Sequence, residues 1–215
     1  TGSSNTACGD AALYTNTSGE NNVGIGRNTL FSNTTGVRNT AVGTFSCDTN
    51  TTGSFNISVG YQSLKENTTG THNTALADSA LKANTTGVNN TGVGQGSLYN
   101  NTTGTYNTAI GVSSLYSNTT ADNNVALGVT ALYTNSTGTN NTAIGQSCLK
   151  KNTTASNNTA VGRISMFNNT EGHSNTAVGL QSLHFNTTGD YNVAVGFCAL
   201  QSNTTADGNS AFGRE

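Results

Sequence analysis

Apolar and polar residues recur along this chain with a period of 17 residues. The units start at residues 1, 18, 35, 52, 69, 86, 103, 120, 137, 154, 171, 188 and 205. With the residues of each unit numbered 1 to 17, position 8 is mostly Val, Ile or Leu, and position 13 is almost always Leu. Position 7 is always Ala, Gly or Ser, and position 9 is Gly except at Ala77. Asn occupies position 5 in every unit and position 16 in every unit that reaches it.

Within a unit, positions 5 to 8 predict a short strand, as in residues 141–144. Its residues at 6 and 8 lie on one side and the small residue at 7 on the other. We expect positions 8 and 13 to point inward as two apolar anchors, and Gly at 9 to end the strand through a positive φ or a close backbone approach. Positions 10 to 15, as in residues 129–134, predict either a second short strand or one helical turn. Asn-Thr-Thr-Gly at 16, 17, 1 and 2 predicts the last corner.

A fixed period without insertions indicates that equivalent residues stack on one another. A unit of 17 residues is too short for a helical repeat of about 34 and suits one β-coil. The sequence therefore predicts an all-β fold, a parallel β-solenoid of the β-roll or β-helix type, with one coil per repeat and twelve full coils plus a partial one. Residues 1–215 would form a single repeat domain, and uncapped ends predict an excerpt of a longer array. The stacked Asn columns at 5 and 16 predict side-chain amide ladders.

Position 7 is restricted to small residues, which indicates close packing over that side of the strand. Two interpretations are open. A flattened coil could place position 7 against its own opposite wall, or position 7 could line a tight interface between chains, as in a homotrimer.

The units Asn39–Gly43 and Asn175–Gly179, both N-T-A-V-G, resemble the N-S-x-A-I-G motif in the head repeats of trimeric autotransporter adhesins. Related repeats occur in bacterial and phage surface fibres. The resemblance covers every unit, although the period here is longer than in that family. It implies a trimerising β-roll in an extracellular or cell-surface fibre, with no catalytic residues to carry over.

Composition fits a thin core held by polar residues. Thr (39 residues) and Asn (33 residues) make up a third of the chain, and only 8% of residues are charged, against about a quarter in ordinary domains. The net charge of −2 leaves no basic face for nucleic acid, and no apolar run reaches the ~20 residues of a membrane span. We therefore expect neither nucleic acid nor membrane as a partner, and self-association end to end or as a homotrimer instead.

One of the two Asn columns carries N-glycosylation acceptors, because Asn at position 16 is followed two residues later by Ser or Thr. Where this acceptor fails, at Asn169-Thr170-Glu171, a shifted one begins at Asn168. The alternative is an unmodified Asn/Thr corner held by its own packing. The candidates are Asn16, Asn33, Asn50, Asn67, Asn84, Asn101, Asn118, Asn135, Asn152, Asn168, Asn186 and Asn203.

Nothing in the register points to catalysis, a cofactor or a metal. His72, His173 and His184 fall at unrelated positions of distant units, and no carboxylate pair or metal-ligand spacing recurs. The four Cys residues lie too many coils apart for a disulfide, which needs Cα atoms within about 7 Å.

The sequence thus favours a structural, non-catalytic subunit of an extracellular fibre or filament, with glycans as a candidate covalent addition. One alternative is the shaft of a trimeric adhesin or phage tail fibre. Another is an ice-binding β-solenoid, in which the Thr columns at 6, 17 and 1 would order water. Val and Ile at several copies of position 6 favour an inward position and count against an ice face.

Overall fold

A computed structural model describes residues 2–214, and their secondary structure is all β. Three-residue strands recur at positions 6 to 8 of the units, and the fold is the predicted parallel β-solenoid. The strands are β1 (Thr6–Cys8), β2 (Val23–Ile25), β3 (Thr40–Val42), β4 (Ile57–Val59), β5 (Thr74–Leu76), β6 (Thr91–Val93), β7 (Thr108–Ile110), β8 (Val125–Leu127), β9 (Thr142–Ile144), β10 (Thr159–Val161), β11 (Thr176–Val178), β12 (Val193–Val195) and β13 (Ser210–Phe212).

The coils form two compact units, Thr1–Tyr106 with β1 to β6 and Asn107–Glu215 with β7 to β13. Within each unit, successive strands pair in parallel with equivalent residues opposite one another. Thr40 lies beside Ile57 in the first unit, and Thr142 lies beside Thr159 in the second. Each residue therefore stacks on its counterpart one repeat later, and the 17-residue coil is confirmed.

The predicted orientation of the strand residues is wrong. From β2 to β12, position 7 points inward and is fully buried, as at Ala41 and Ala143, whereas positions 6 and 8 point outward, with Ile57 45% and Ile144 38% exposed. The reason is the width of the coil, because Leu at position 13 fills the space opposite the strand. A Cβ on Gly24 would lie 3.5 Å from Leu13 Cγ, so little more than Ala fits at position 7. The flattened-coil interpretation of position 7 is therefore correct, and Leu at 13 is the inward anchor as predicted.

Positions 10 to 15 form neither a strand nor a helix, but two consecutive turns. In the coil after β8, Thr130 and Leu132 both have left-handed backbones, with φ of 54° and 50°. These turns still bond to the neighbouring coils, because Thr130 N–H donates to Val112 O and Leu132 N–H donates to Cys148 O, both at 3.0 Å. The hydrophobic pattern could not predict these turns, because Leu rarely adopts a left-handed backbone conformation and has no local preference for it.

Gly at position 9 meets both expectations for the end of the strand. Gly128 has a φ of 129°, and a Cβ placed on it would lie 2.6 Å from Gly145 O of the next coil. The single exception, Ala77, adopts a φ of 121°.

The interior is polar along one corner, where the predicted ladder of position-16 Asn side chains is present. Asn50 Nδ2 donates to Asn33 Oδ1 of the preceding coil at 2.8 Å and to Gly53 O of its own corner at 3.0 Å. Both amide protons are thereby used. The same ladder runs through the second unit, for example from Asn152 to Asn135. Among the described residues, Ser97 Oγ alone is a buried side-chain polar atom without a hydrogen-bond partner.

The position-5 Asn column also has side-chain amide bonds between coils, as where Asn56 Nδ2 donates to Asn39 Oδ1 at 3.2 Å, but its shorter bonds involve the backbone. Asn39 N–H donates to Asn22 Oδ1 at 2.9 Å, and Asn22 Nδ2 donates to Gly36 O of the next coil at 2.8 Å. Gly36 O also accepts from Asn33 Nδ2 at 3.1 Å. The carbonyl at position 2 therefore joins the two Asn columns in one buried network.

Replacing Asn50 by Ala tests this network. The change leaves Asn33 Oδ1 without its donor and Asn67 Nδ2 without its acceptor, and both groups are buried. We expect a loss of about 3 kcal/mol in the free energy of unfolding, measured by urea titration. Asn168→Ala, at a partly exposed position, is the control and should cost about 1 kcal/mol or less. Equal losses in the two variants would show that the ladder contributes nothing special.

Candidate functional site

The predicted glycosylation acceptors at position 16 lie inside the coil. Those that are fully buried are Asn33, Asn50, Asn67, Asn84, Asn101, Asn118, Asn135, Asn152 and Asn186, whereas Asn16 and Asn203 are partly exposed. An N-linked sugar is attached through Nδ2, the atom that makes the ladder bonds. The folded coil therefore opposes dense glycosylation of this column, because a sugar would have to displace both bonds and occupy a filled interior.

Asn168 differs from the other acceptors, because it lies at position 15 and is partly exposed. Its Nδ2 donates to His184 O at 3.1 Å, and its Oδ1 accepts from Lys151 Nζ at 2.9 Å. The side-chain amide of Asn168 therefore lies outside the interior network.

The outward side of the strands forms a surface that the sequence did not predict. We call the residues at positions 6 and 8 of β1 to β6 and of β7 to β13 the outer strand face of each unit. None of them is charged, and most at position 8 are aliphatic. Exposed aliphatic members are Ile25, Ile57 and Val59 in the first unit and Ile110, Leu127 and Ile144 in the second, where Phe212 is also exposed.

Aromatic side chains at position 14 stack from coil to coil. Tyr14 and Phe31 lie 5.4 Å apart with nearly parallel rings, and Tyr116 and Tyr133 lie 5.2 Å apart. Further along the second unit, Lys150 Nζ lies 5.9 Å from the Tyr133 ring and 5.8 Å from the Phe167 ring. Position 14 therefore carries runs of stacked aromatic and cationic groups, which Asp48 and Gln201 interrupt.

The remaining candidate groups do not converge. No group of three or more His, Cys, Asp or Glu that could hold a metal ion occurs among residues 2–214. The four cysteines are free thiols, as predicted, and only Cys8 is exposed. In the described part of the chain, no helix is long and apolar enough to cross a membrane.

No protein-family model, no curated protein and no solved structure matches this chain. The likeness of the N-T-A-V-G units to adhesin head repeats remains an expectation from the sequence.

Thiol chemistry gives a direct test of this packing. Burial raises the pKa of Cys47 and of Cys148 to about 12, so that both remain protonated and unreactive at pH 8. We expect a maleimide to label Cys8 rapidly, with the other three thiols labelled only after unfolding, as measured by intact-protein mass. Labelling of Cys47 as fast as that of Cys8 would contradict the buried position.

The same pKa shift predicts how stability depends on pH. In the unfolded chain both thiols have their ordinary pKa of 9.0, and in the folded coil burial raises that pKa to about 12. Because the folded state holds these protons more tightly, their stabilisation is complete below pH 9 and falls as the pH rises towards 12. Urea titrations at a series of pH values measure this fall, and Cys47→Ser should reduce its slope.

Proposed function

We propose that this chain is a structural, non-catalytic component of an extracellular fibre. One observation supports this most directly: equivalent atoms bond from coil to coil throughout each unit, in the backbone and in the side-chain columns alike. Thr34, for example, donates both its N–H and its Oγ1–H to Thr51 O, at 2.9 and 3.0 Å. Parallel rows of such bonds resist separation of the coils, which is what a fibre element requires. The likeness to adhesin head repeats supports the extracellular location.

Self-association is the second part of the proposal. Position 7 is buried within its own coil and is not available to line an interface between chains. The outer strand face is available, uncharged and rich in Ile, Leu and Val. A lateral dimer or homotrimer would bury this face, with sheets packed about 10 Å apart. End-to-end stacking of coils is the other mode that a repeated coil allows.

Two lysines placed on the outer strand face test the lateral mode. We expect the wild-type chain to sediment as a multiple of 21.9 kDa and Leu127→Lys/Ile144→Lys to sediment as a monomer. These residues occupy position 8 of neighbouring strands, so the added charges lie on adjacent coils and oppose burial. Analytical ultracentrifugation measures the change.

The matched control is Thr137→Lys/Thr154→Lys, which adds the same charges at exposed corner positions of neighbouring coils. It should associate like the wild type, and both variants should unfold at the wild-type temperature. A monomeric wild type at the highest soluble concentration would overturn the self-association proposal. Association that persists in Leu127→Lys/Ile144→Lys would overturn its lateral form.

Ice binding is a second candidate, because the structure removes one objection to it. The sequence pattern favours an inward position 6, yet Thr142 and Thr176 point outward and are partly exposed. Their hydroxyls alternate along the strand with the aliphatic side chains of position 8, and successive strands repeat the pair at about 4.8 Å. A surface of regularly spaced hydroxyl and methyl groups can order the water molecules that contact it.

Thermal hysteresis tests this candidate separately from fibre formation. If the outer strand face orders water, the freezing point of the solution should fall below its melting point, and Thr142→Lys/Thr159→Lys should abolish the gap. Thr137→Lys/Thr154→Lys should preserve it. Absence of hysteresis in the wild-type protein would exclude ice binding and leave the structural proposal unaffected.

A further inference from the structure

Position 15 departs from the repeat in the second unit. From the first coil to the eighth it carries only small or short polar residues and one Glu. In the next three coils it carries Lys151, Asn168 and Phe185, while the neighbouring position 14 carries Lys150, Phe167 and His184. Two of these coils therefore place large side chains at positions 14 and 15 together, which the first eight coils do only at Lys65 and Glu66.

Phe185 is held with its ring exposed to solvent. It is 48% exposed, and its ring meets the His184 ring edge to face at 4.6 Å. His184 is itself fixed, because its Nδ1 lies 3.0 Å from Ile164 O and its ring stacks on Phe167 at 5.6 Å. A carbonyl oxygen only accepts, so Nδ1 carries the proton of this bond. The aromatic surface of Phe185 is therefore positioned before any ligand arrives.

Polar groups of both kinds lie beside this ring. Lys151 Nζ donates to Asn168 Oδ1 at 2.9 Å and keeps two further protons for a ligand. Thr170 and Thr187 donate their hydroxyl protons to the next coil, at 3.1 and 3.0 Å. Their Oγ1 atoms are thereby left as acceptors. The surface offers a cationic donor on one side and hydroxyl acceptors on the other.

These residues line a groove of about 550 Å³ between the columns of positions 15 and 17. Its lining includes Lys151, Asn168, Phe185, Thr170, Thr187 and Thr204. We propose that this groove binds an acidic saccharide, with one sugar ring stacked on Phe185 and its carboxylate bonded to Lys151. Sugar hydroxyls donate to Thr170 and Thr187.

The charges nearby favour a carboxylated sugar over a neutral one, and set its direction. Lys150 and Lys151 are adjacent in sequence on the position 14 and 15 side, and both lie within 6 Å of the Phe167 ring. Glu171 follows Thr170 and is exposed at the opposite rim. Repulsion from Glu171 keeps the ligand carboxylate on the lysine side. A charge-assisted hydrogen bond from lysine to a carboxylate is about twice as strong as a bond between neutral groups.

Saturation-transfer NMR and calorimetry with trigalacturonate and the matched neutral trisaccharide of galactose test the proposal on the full chain. We expect the wild type to bind trigalacturonate at least about tenfold more tightly than the neutral sugar, the equivalent of about 1.4 kcal/mol. Phe185→Ala should weaken binding of both sugars at least about tenfold. Lys151→Gln should remove the preference for the acidic one, and added salt should weaken that preference in the wild type.

Phe197→Ala and Lys65→Gln are the matched controls, since Phe197 is also exposed (43%) but lies on another column, and Lys65 belongs to the other unit. Both should bind like the wild type, and Phe185→Tyr should retain binding because the ring remains. Unchanged melting temperatures exclude a general loss of fold. The proposal is overturned if neither sugar gives a signal, if both bind equally, or if Phe185→Ala behaves like Phe197→Ala.

Discussion

Every buried Asn amide in the two columns must find a partner one coil away, and the rest of the structure follows from that requirement. The carbonyl at position 2, as at Gly36, accepts from Asn22 and Asn33 of the two columns. A buried polar group without a partner costs about 1 to 3 kcal/mol. A coil longer or shorter by one residue would move both amides away from this carbonyl at once, which accounts for a period that never varies.

The narrow interior also determines which strand residues face solvent. Because Leu at position 13 spans the coil, the strand can direct only Ala-sized residues inward, and its larger aliphatic residues are left facing solvent. The apolar surface of the strands is thus a result of the narrow interior. Residues that point outward are less restricted and differ between coils. This variation allows Lys151 and Phe185 to line the same groove.

The period, the parallel stacking and the Asn ladders could be predicted from the sequence, because each depends on identity between units. Which side of the strand is buried could not, since alternation gives the same pattern for either choice and hydrophobicity favours the larger residue inside, as at Ile144. The turns at Thr130 and Leu132 could not be predicted either, because bonds to neighbouring coils hold both residues in a left-handed backbone conformation that neither prefers locally. The groove beside Phe185 depends on residues that differ from the 17-residue repeat, and comparison of the repeats with one another does not predict what such residues form.

The residues with a left-handed backbone conformation affect how the solenoid folds. Leu132 and Thr130 both have a positive φ, as do their counterparts in other coils, at a cost of roughly 1 to 2 kcal/mol for each such residue. An isolated coil has no neighbour to offset this cost. A coil that forms against a finished one gains the amide bonds, the backbone bonds and the packing of Leu in a single step. Folding should therefore begin rarely and then spread from the first ordered coils, each serving as the template on which the next is laid down.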